Sequence, residues 1–365
     1  MNQKPQKEGD SSLPIESKSK ELLQLASRTN ASDIHFVPLR NQGMIQLRVD
    51  GQLHPIEKVP YVFFERLVSH FKFKAGMDIG EKRRPQDGSM DLDLNGTLLH
   101  LRLSTLPTAF HESLVIRLLP QSGPAHFESL ALFPHSLKGL HSLLNRSSGL
   151  ILFSGPTGSG KTTIMYSLLQ YLQTKDTINI LTLEDPVEKK MDLFLQMEVN
   201  EKAGITYGEG FKSLLRHDPD VIMIGEIRDE ATAKLVIRAG MTGHLVLSTV
   251  HAEDALGCLY RLVEFGLSVQ EIEQTLLGIV SQRLLSLTCP YCGTRCEPYC
   301  FMRRHDKRMG LYELLSESGL EKGMEWIRGN SDRPDGLRTL NYFMKQGMAL
   351  GFLPMNTLHR WGVDR

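Results

Sequence analysis

Residues 155–163 have the sequence Gly-Pro-Thr-Gly-Ser-Gly-Lys-Thr-Thr, and this stretch decides the fold. It matches the pattern G-x-x-x-x-G-K-[ST], which forms a phosphate-binding loop where it connects a strand to a helix. An apolar strand over 149–154 precedes it and a helix over 161–173 is predicted to follow. The residues expected to surround the phosphates are Gly155, Pro156, Thr157, Gly158, Ser159, Gly160, Lys161, Thr162 and Thr163.

The chemistry of this loop follows from its residue types. Glycines allow backbone N–H groups to turn inward on a phosphate, and the helix N-terminus adds a partial positive charge. Lys161 is expected to reach the β- and γ-phosphates, and Thr162 to hold Mg²⁺. The loop therefore predicts ATP as the bound nucleotide and Mg²⁺ as its cofactor.

The patterns on either side of residues 120–126 differ. Before them, a helix over 18–28, a helix over 59–75 and strands over 45–49, 89–94, 97–106 and 112–119 indicate a small antiparallel sheet. After them, apolar strands alternate with helical stretches, which is typical of an α/β fold with a mostly parallel sheet. Helices are predicted over 311–320 and 336–347.

Two acidic segments follow the loop. Each is an apolar strand that ends in carboxylates, with Glu184 after residues 180–183 and Glu226 after 221–225. Carboxyl ends of parallel strands meet at the edge where ligands bind in such sheets. ATP hydrolysis requires one carboxylate for the metal and one that orients the attacking water. The pair therefore predicts hydrolysis, with the division of roles between the two residues left open.

A further strand lies between His244 and His251. Because this strand is expected to end at the same edge, we interpret the two histidines as candidate sensors of the γ-phosphate or coupling residues. The alternative is that either histidine is structural.

The overall composition restricts the classes of function. The 42 basic and 42 acidic residues give zero net charge, so nothing in the balance demands nucleic acid. No apolar run reaches the roughly 18 residues of a membrane span, and the N-terminus lacks the apolar segment of a signal peptide. These features predict a cytoplasmic protein, which could still dock on a membrane through a partner.

Four of the five cysteines lie within 12 residues, which in a reducing compartment favours a metal site over disulfides. Four thiolates can complete a tetrahedral Zn²⁺ site, although this short spacing strains the loop, and reduced structural thiols are the alternative. The candidate ligands are Cys289, Cys292, Cys296 and Cys300, with His305 as a possible substitute.

Together these segments resemble the type II/IV secretion ATPases, the motors of pili, type II secretion and DNA uptake. The resemblance covers about residues 20–300. Its motifs are the phosphate loop, an aspartate box at 183–188, a Walker B box at 224–229 and a histidine box at 243–251, in family order. Segments 31–36, 48–51, 83–88 and 102–108 are also similar to family segments.

The resemblance implies a two-domain organisation and a hexameric ring. A flexible leader (1–17) would precede a PAS-like α+β domain (18–120), a linker (121–126), a RecA-like P-loop ATPase domain (127–300) and a small helical C-terminal region (301–365). In the ring, Arg102 and Arg117 would close over the nucleotide, with Arg83 or Arg84 as further candidates. Guanidinium groups would neutralise the charge that develops on the transferring phosphoryl group. The resemblance places Glu226 on the metal side and Glu184 near the water.

Within the family, the length and cysteine cluster are similar to the competence motors of Gram-positive bacteria, which power transformation pili, and they favour assembly over retraction. The implied partners are copies of this chain and a polytopic inner-membrane platform protein at the cytoplasmic face of the membrane. Two other classes remain open: a DNA-translocating or helicase-type RecA-fold motor, and a nucleotide-binding regulator without hydrolysis. The neutral charge and two tryptophans do not favour the first, and the paired acids argue against the second.

Overall fold

The computed structural model describes residues 15–49, 51–94, 97–120, 126–175, 177–293 and 308–360. The chain divides between residues 122 and 123 into two compact units. The predicted linker at 121–126 therefore coincides with the division, although only His126 of it is described. In the described part, no helix is both long enough and apolar enough to cross a membrane.

The first unit is an antiparallel sheet with two helices. Its elements are α1 (Ile15–Arg28), β1 (Asp33–Pro38), β2 (Gln42–Val49), β3 (Gln52–Pro60), α2 (Tyr61–Lys74), β4 (Gln86–Leu94), β5 (Thr97–Pro107) and β6 (Glu112–Pro120). The strand order is β3-β2-β1-β6-β5-β4. All five strand pairings are antiparallel. The predicted strands and the α2 helix are confirmed, with bounds shifted by one to three residues.

Alternation along the strands builds the core of this unit. In β2, Ile45 and Leu47 are buried, whereas Gln46 and Arg48 between them are partly exposed. The buried face packs against α1 and α2, where the Phe71 ring lies 5.4 Å from that of Phe36. Gln46 and Arg48 lie on the opposite face, because successive residues of a strand point to opposite sides.

Helix α1 corrects the predicted boundary of the leader. The helix begins at Ile15 rather than at residue 18, and the Ile15 side chain packs against the core of the first unit. Burial of this side chain and an acidic residue, Glu16, in the first helical turn both favour the earlier start. Residues 1–14 of the predicted leader lie outside the described residues.

The second unit contains a seven-stranded sheet. Its elements are α3 (Leu140–Leu144), β7 (Gly149–Ser154), α4 (Lys161–Lys175), β8 (Ile180–Glu184), β9 (Leu195–Glu198), α5 (Tyr207–Leu214), β10 (Val221–Ile224), α6 (Glu230–Met241), β11 (Leu245–Val250), α7 (Ala255–Glu264), α8 (Val269–Thr275), β12 (Leu276–Ser286), β13 (Arg308–Ser316), α9 (Glu317–Ile327), α10 (Leu340–Ala349) and α11 (Thr357–Arg360). The strand order is β13-β12-β7-β11-β10-β8-β9.

All pairings in this sheet are parallel except β12 with β13. Its central strands are buried throughout, with one apolar cluster on each face. Burial on both faces explains why these strands are continuous apolar runs without alternation. The α/β fold expected from the sequence is confirmed for this unit.

The C-terminal region departs from the expected all-helical structure. The predicted helix 311–320 is a strand up to Ser316, and helix α9 begins only at Glu317. Strand β13 pairs with β12 over nine residues, from Arg308 opposite Ser286 to Ser316 opposite Gly278. A short apolar run has no periodicity that separates a strand from a buried helix, so the pairing with β12 decides its structure.

Candidate functional site

The topology of the second unit collects its functional segments at one edge of the sheet. Strands β7, β11, β10 and β8 are adjacent and parallel, and their carboxyl ends lie side by side. Val250 at the end of β11 is opposite Ser154 at the end of β7. His251 therefore emerges between the phosphate loop and Glu226. We call this edge the catalytic edge.

The phosphate loop requires glycine at the positions where the sequence has it. Gly155 has φ 147° and Gly160 has φ 90°, which are conformations that L side chains rarely adopt. A Cβ on Gly155 would stand 2.5 Å from the Gln282 carbonyl oxygen, and one on Gly160 would stand 2.9 Å from Gln282 Nε2. Gln282 of β12 thus packs directly against the glycines of the loop. No local sequence pattern predicted this role.

Lys161 begins α4 and is folded back onto the loop. Its ammonium group donates to the carbonyl oxygens of Gly155 at 2.8 Å and Pro156 at 3.2 Å. Burial lowers the pKa of Lys161, and the nearby Glu226 carboxylate partly opposes that effect. A phosphate group would supply stronger, charged acceptors for this ammonium than the two carbonyl oxygens.

The remaining loop residues differ in exposure. Thr157, Gly158 and Thr163 are exposed, whereas the hydroxyl of Ser159 is buried and has no hydrogen-bond partner in the described part of the chain. Thr162 is half-buried. Hydroxyl and carboxylate oxygens are hard donors of the kind that Mg²⁺ binds, so the donor chemistry of Thr162 and Glu226 fits the predicted magnesium site.

Glu226 lies at the centre of a chain of charges on the catalytic edge. Its Oε1 is 3.0 Å from His251 Nε2, and its Oε2 accepts from Arg228 Nε at 2.9 Å. The other end of the Arg228 guanidinium pairs with Asp185 at 3.1 Å. The hydrogen bond to Glu226 is the main cause of a raised pKa at Arg228. Arg228 was not recognised as a site residue from the sequence, although its position two residues after Glu226 is compatible with such a contact.

Glu184 reaches the catalytic edge with its backbone, but its carboxylate is turned into the interior. Oε1 accepts from Thr182 at 2.7 Å and from Gln196 at 3.2 Å, and Oε2 accepts from the hydroxyl of Tyr166 on α4. Burial raises the pKa of Glu184. The sequence predicted a carboxylate at the ligand-binding edge, and the structure turns it inward because Tyr166 and Gln196 supply donors beneath that edge. The water-orienting role of Glu184 stays a prediction.

The two predicted histidines are separated by the full length of β11. His251 follows its carboxyl end and contacts Glu226, whereas His244 precedes its amino end. His244 Nδ1 lies 3.2 Å from both Thr242 Oγ1 and the Ala239 carbonyl oxygen. Six strand residues span about 20 Å, so the expectation that both histidines share the catalytic edge is wrong for His244.

The predicted arginines belong to a row of charges on the first unit. Arg48, Asp33, Arg117 and Arg102 are successive cross-strand neighbours on β2, β1, β6 and β5. The buried Asp33 carboxylate accepts from Arg117 Nε at 2.9 Å and lies 3.8 Å from Arg48 Nε. We call these four residues the arginine row. The Asp33 carboxylate thus contacts two guanidinium groups, and Arg102 is the cross-strand neighbour of one of them, Arg117.

Arg83 and Arg84, the further candidates, lie away from the arginine row in the segment before β4. Both are exposed, and Arg83 Nε lies 3.8 Å from Glu81. The two residues are therefore on the surface of the first unit, and neither belongs to a regular strand.

Only part of the cysteine cluster is described. Cys289 is buried and exchanges backbone hydrogen bonds with Gly293 at 2.9 Å in both directions, so Cys289 and Cys292 lie on one tight turn. Cys296, Cys300 and His305 lie outside the described residues. Among the residues that are described, no three His, Cys, Asp or Glu side chains are grouped to hold a metal ion.

Comparisons with known proteins agree with the geometry of this edge. The model of the family described as "Type II/IV secretion system protein" matches residues 8–333. The competence protein ComGA of Bacillus subtilis (strain 168) is 48% identical over 348 residues, which are 95% of this chain and 98% of that protein. The type IV pilus assembly ATPase TfpB of Acinetobacter baylyi is 44% identical over 273 residues, 74% of this chain and 46% of that protein.

Two solved structures share the fold. The Legionella pneumophila ATPase DotB superposes with a TM-score of 0.74 at 18% identity and covers 96% of both chains. The pilus retraction motor PilT with bound ADP superposes with a TM-score of 0.64 at 24% identity, over 94% of this chain and 96% of that one. At these identities the likeness concerns the fold alone.

Proposed function

Since this chain belongs to the type II/IV secretion system protein family and is an ATPase, we propose that it is the motor for assembly of a type IV-like competence pilus that takes up DNA. The observation that carries the proposal is the catalytic edge, where the phosphate loop, Glu226 and His251 come together. The 48% identity to a competence protein over nearly the whole chain supports the choice of system.

In the proposed reaction, the loop and Lys161 bind the ATP phosphates. Thr162 and Glu226 would hold Mg²⁺, which would neutralise charge on the phosphate oxygens. His251, in contact with Glu226, would sense the γ-phosphate. Glu184 would orient the attacking water, and burial raises the pKa of its carboxyl group, as is found for general bases of active sites.

The arginine row is the proposed source of charge stabilisation from the first unit. Arg117 is well exposed, and Arg102 lies beside it on β5. Closure of the first unit over the nucleotide would bring these guanidinium groups to the phosphoryl group at which negative charge develops. We further propose a homo-hexamer in which such closures move a polytopic platform protein at the cytoplasmic face of the cell membrane.

An in vivo experiment tests the pilus assignment. The gene is deleted in its host, and the strain is complemented with the wild type or with Glu226→Gln. We expect the deletion to abolish surface pili and transformation, and only the wild type to restore them. Normal pilus assembly in the deletion strain, with loss of another secretion process, would reject the competence assignment while leaving the ATPase activity intact.

A DNA-translocating motor is the second candidate, and turnover with and without single-stranded DNA separates it. The proposed pilus motor hydrolyses ATP at the same rate in both conditions, because no direct contact with nucleic acid is expected. Strong stimulation by DNA would favour the translocase instead. Absence of turnover in both conditions would favour a regulator that only binds nucleotide.

Zinc at the cysteine cluster is a separate proposal. Cys289 and Cys292 form a Cys-x-x-Cys pair on one tight turn. Cys296 and Cys300 would complete the four ligands. We expect about one zinc per subunit by elemental analysis. A metal-free preparation that stays folded and active would show that the thiols are structural.

A further inference from the structure

Tyr207 is a half-buried residue at the start of α5 that the proposed reaction does not use. Its ring packs against the apolar cluster beneath the catalytic edge. Its hydroxyl points to Gly225, since a Cβ built on that glycine would stand 3.6 Å from the hydroxyl oxygen and 3.5 Å from Glu184 Cα. The hydroxyl therefore lies beside the backbone at the ends of β8 and β10, the two strands that precede the candidate carboxylates.

Charged groups surround this hydroxyl. The Arg228 guanidinium and the carboxylates of Asp185, Glu226 and Glu184 are all close enough to influence its titration. Burial and the carboxylates raise the pKa of Tyr207 to about 12, so the group stays protonated at physiological pH. It can thus both donate and accept a hydrogen bond.

The hydroxyl nevertheless has no hydrogen-bond partner among the residues that the structure describes. The buried Tyr166 behaves differently, because its hydroxyl donates to Glu184. A partly buried polar group is normally satisfied by protein, water or a ligand. At the catalytic edge, a water molecule in the space in front of Gly225 would satisfy it.

We propose that Tyr207 is a further catalytic residue, whose hydroxyl hydrogen-bonds the water molecule that attacks the γ-phosphate. The proposal rests on the proposed ATP hydrolysis at this edge. Glu184 alone is poorly placed to orient that water in this structure, because three donors already occupy its carboxylate. Tyr207 supplies a second polar group beside the ends of β8 and β10, and its hydroxyl has no hydrogen-bond partner among the described residues.

Steady-state ATPase kinetics of the full-length Tyr207→Phe protein test this role. The substitution removes one oxygen and keeps the ring, so the packing below the edge should persist. We expect kcat to fall about tenfold, which is typical of the loss of one hydrogen bond, while KM for ATP and the melting temperature stay unchanged. The matched control is Tyr171→Phe, because Tyr171 is also half-buried but makes edge-to-face contacts with Phe127 and His141.

The outcomes distinguish the role of Tyr207 from the proposed ATP hydrolysis itself. Turnover by Tyr207→Phe within twofold of the wild type would overturn the role of Tyr207. So would a fall in kcat accompanied by a higher KM or a lower melting temperature, because that pattern indicates a structural effect. If the wild type and Tyr171→Phe do not hydrolyse ATP, the proposed hydrolysis itself fails.

Discussion

The ammonium group of Lys161 donates to the carbonyl oxygen of Gly155 at 2.8 Å, so the side chain is folded back onto the phosphate loop. Binding of ATP would exchange these carbonyl acceptors for phosphate oxygens. Because those oxygens carry negative charge, the exchange strengthens the interaction.

Lys161→Ala is therefore expected to lose nucleotide binding. The variant lacks the cation that would neutralise the phosphates, and a fluorescent ATP analogue measures the loss by titration. Lys212→Ala is the matched control, because Lys212 is exposed on α5 and pairs with the exposed Glu209. Unchanged affinity of Lys161→Ala for the analogue would contradict the assigned phosphate site.

Glu226→Gln is expected to bind ATP but to hydrolyse it about a hundredfold more slowly. The amide keeps the shape of the side chain while removing the charge that faces Arg228, His251 and the proposed metal. Binding is measured by titration and turnover by phosphate release. Glu230→Gln serves as control, since Glu230 is an exposed residue in the first turn of α6. Full turnover by Glu226→Gln would falsify its role.

Arg102→Gln and Arg117→Gln are each expected to lower kcat roughly a hundredfold. Each removes a guanidinium group that would stabilise the developing charge on the phosphoryl group. The control is Arg66→Gln, an exposed arginine on α2 outside the arginine row. If all three variants turn over ATP equally, the first unit does not contribute these arginines to catalysis.

Glu313 should make the stability of the folded protein depend on pH. It is buried on β13, accepts from the Leu340 N–H at 2.9 Å, and faces Asp254 and Arg283. Burial raises its pKa to about 7 from an ordinary value of 4.5. The folded protein therefore holds this proton more tightly than the unfolded chain. The contribution of this group to the free energy of unfolding is complete below pH 4.5 and is lost as the pH rises through 7. The loss is on the order of 3 kcal/mol.

Glu313→Gln should remove that loss, because the amide oxygen still accepts from Leu340 and no proton is released. Thermal unfolding between pH 5 and 8 measures the effect. We expect the difference between the melting temperatures of the variant and the wild type to shift in favour of the variant as the pH rises. The exposed Glu325→Gln should follow the wild type. Parallel pH curves for all three proteins would show that Glu313 titrates normally.

The sequence predicted the parts of the site that depend on local pattern. The phosphate loop is contiguous, and Glu226 and His251 directly follow apolar strands, so parallel pairing was sufficient to bring them together. The inward turn of Glu184 could not be predicted in this way. It depends on hydroxyl and amide donors from α4 and β9, which are distant in sequence.

The strand at 311–316 has the same origin, because this apolar run pairs with β12, which is distant in the chain. His244 is different. The strand predicted between His244 and His251 separates them by its own length, so they lie at opposite ends of β11 without the help of any distant contact.

The two edge strands of the seven-stranded sheet expose few backbone groups for pairing with another sheet. At one margin β9 is only four residues long, from Leu195 to Glu198. At the other, the segment before α3 bonds to β13, where the Leu132 N–H donates to the Gly310 carbonyl oxygen at 2.8 Å. Short or covered edges discourage continuation of a sheet from one molecule to the next. Copies of this chain should therefore associate through side-chain surfaces, which can separate and re-form, rather than through shared backbone ladders that would lock them together.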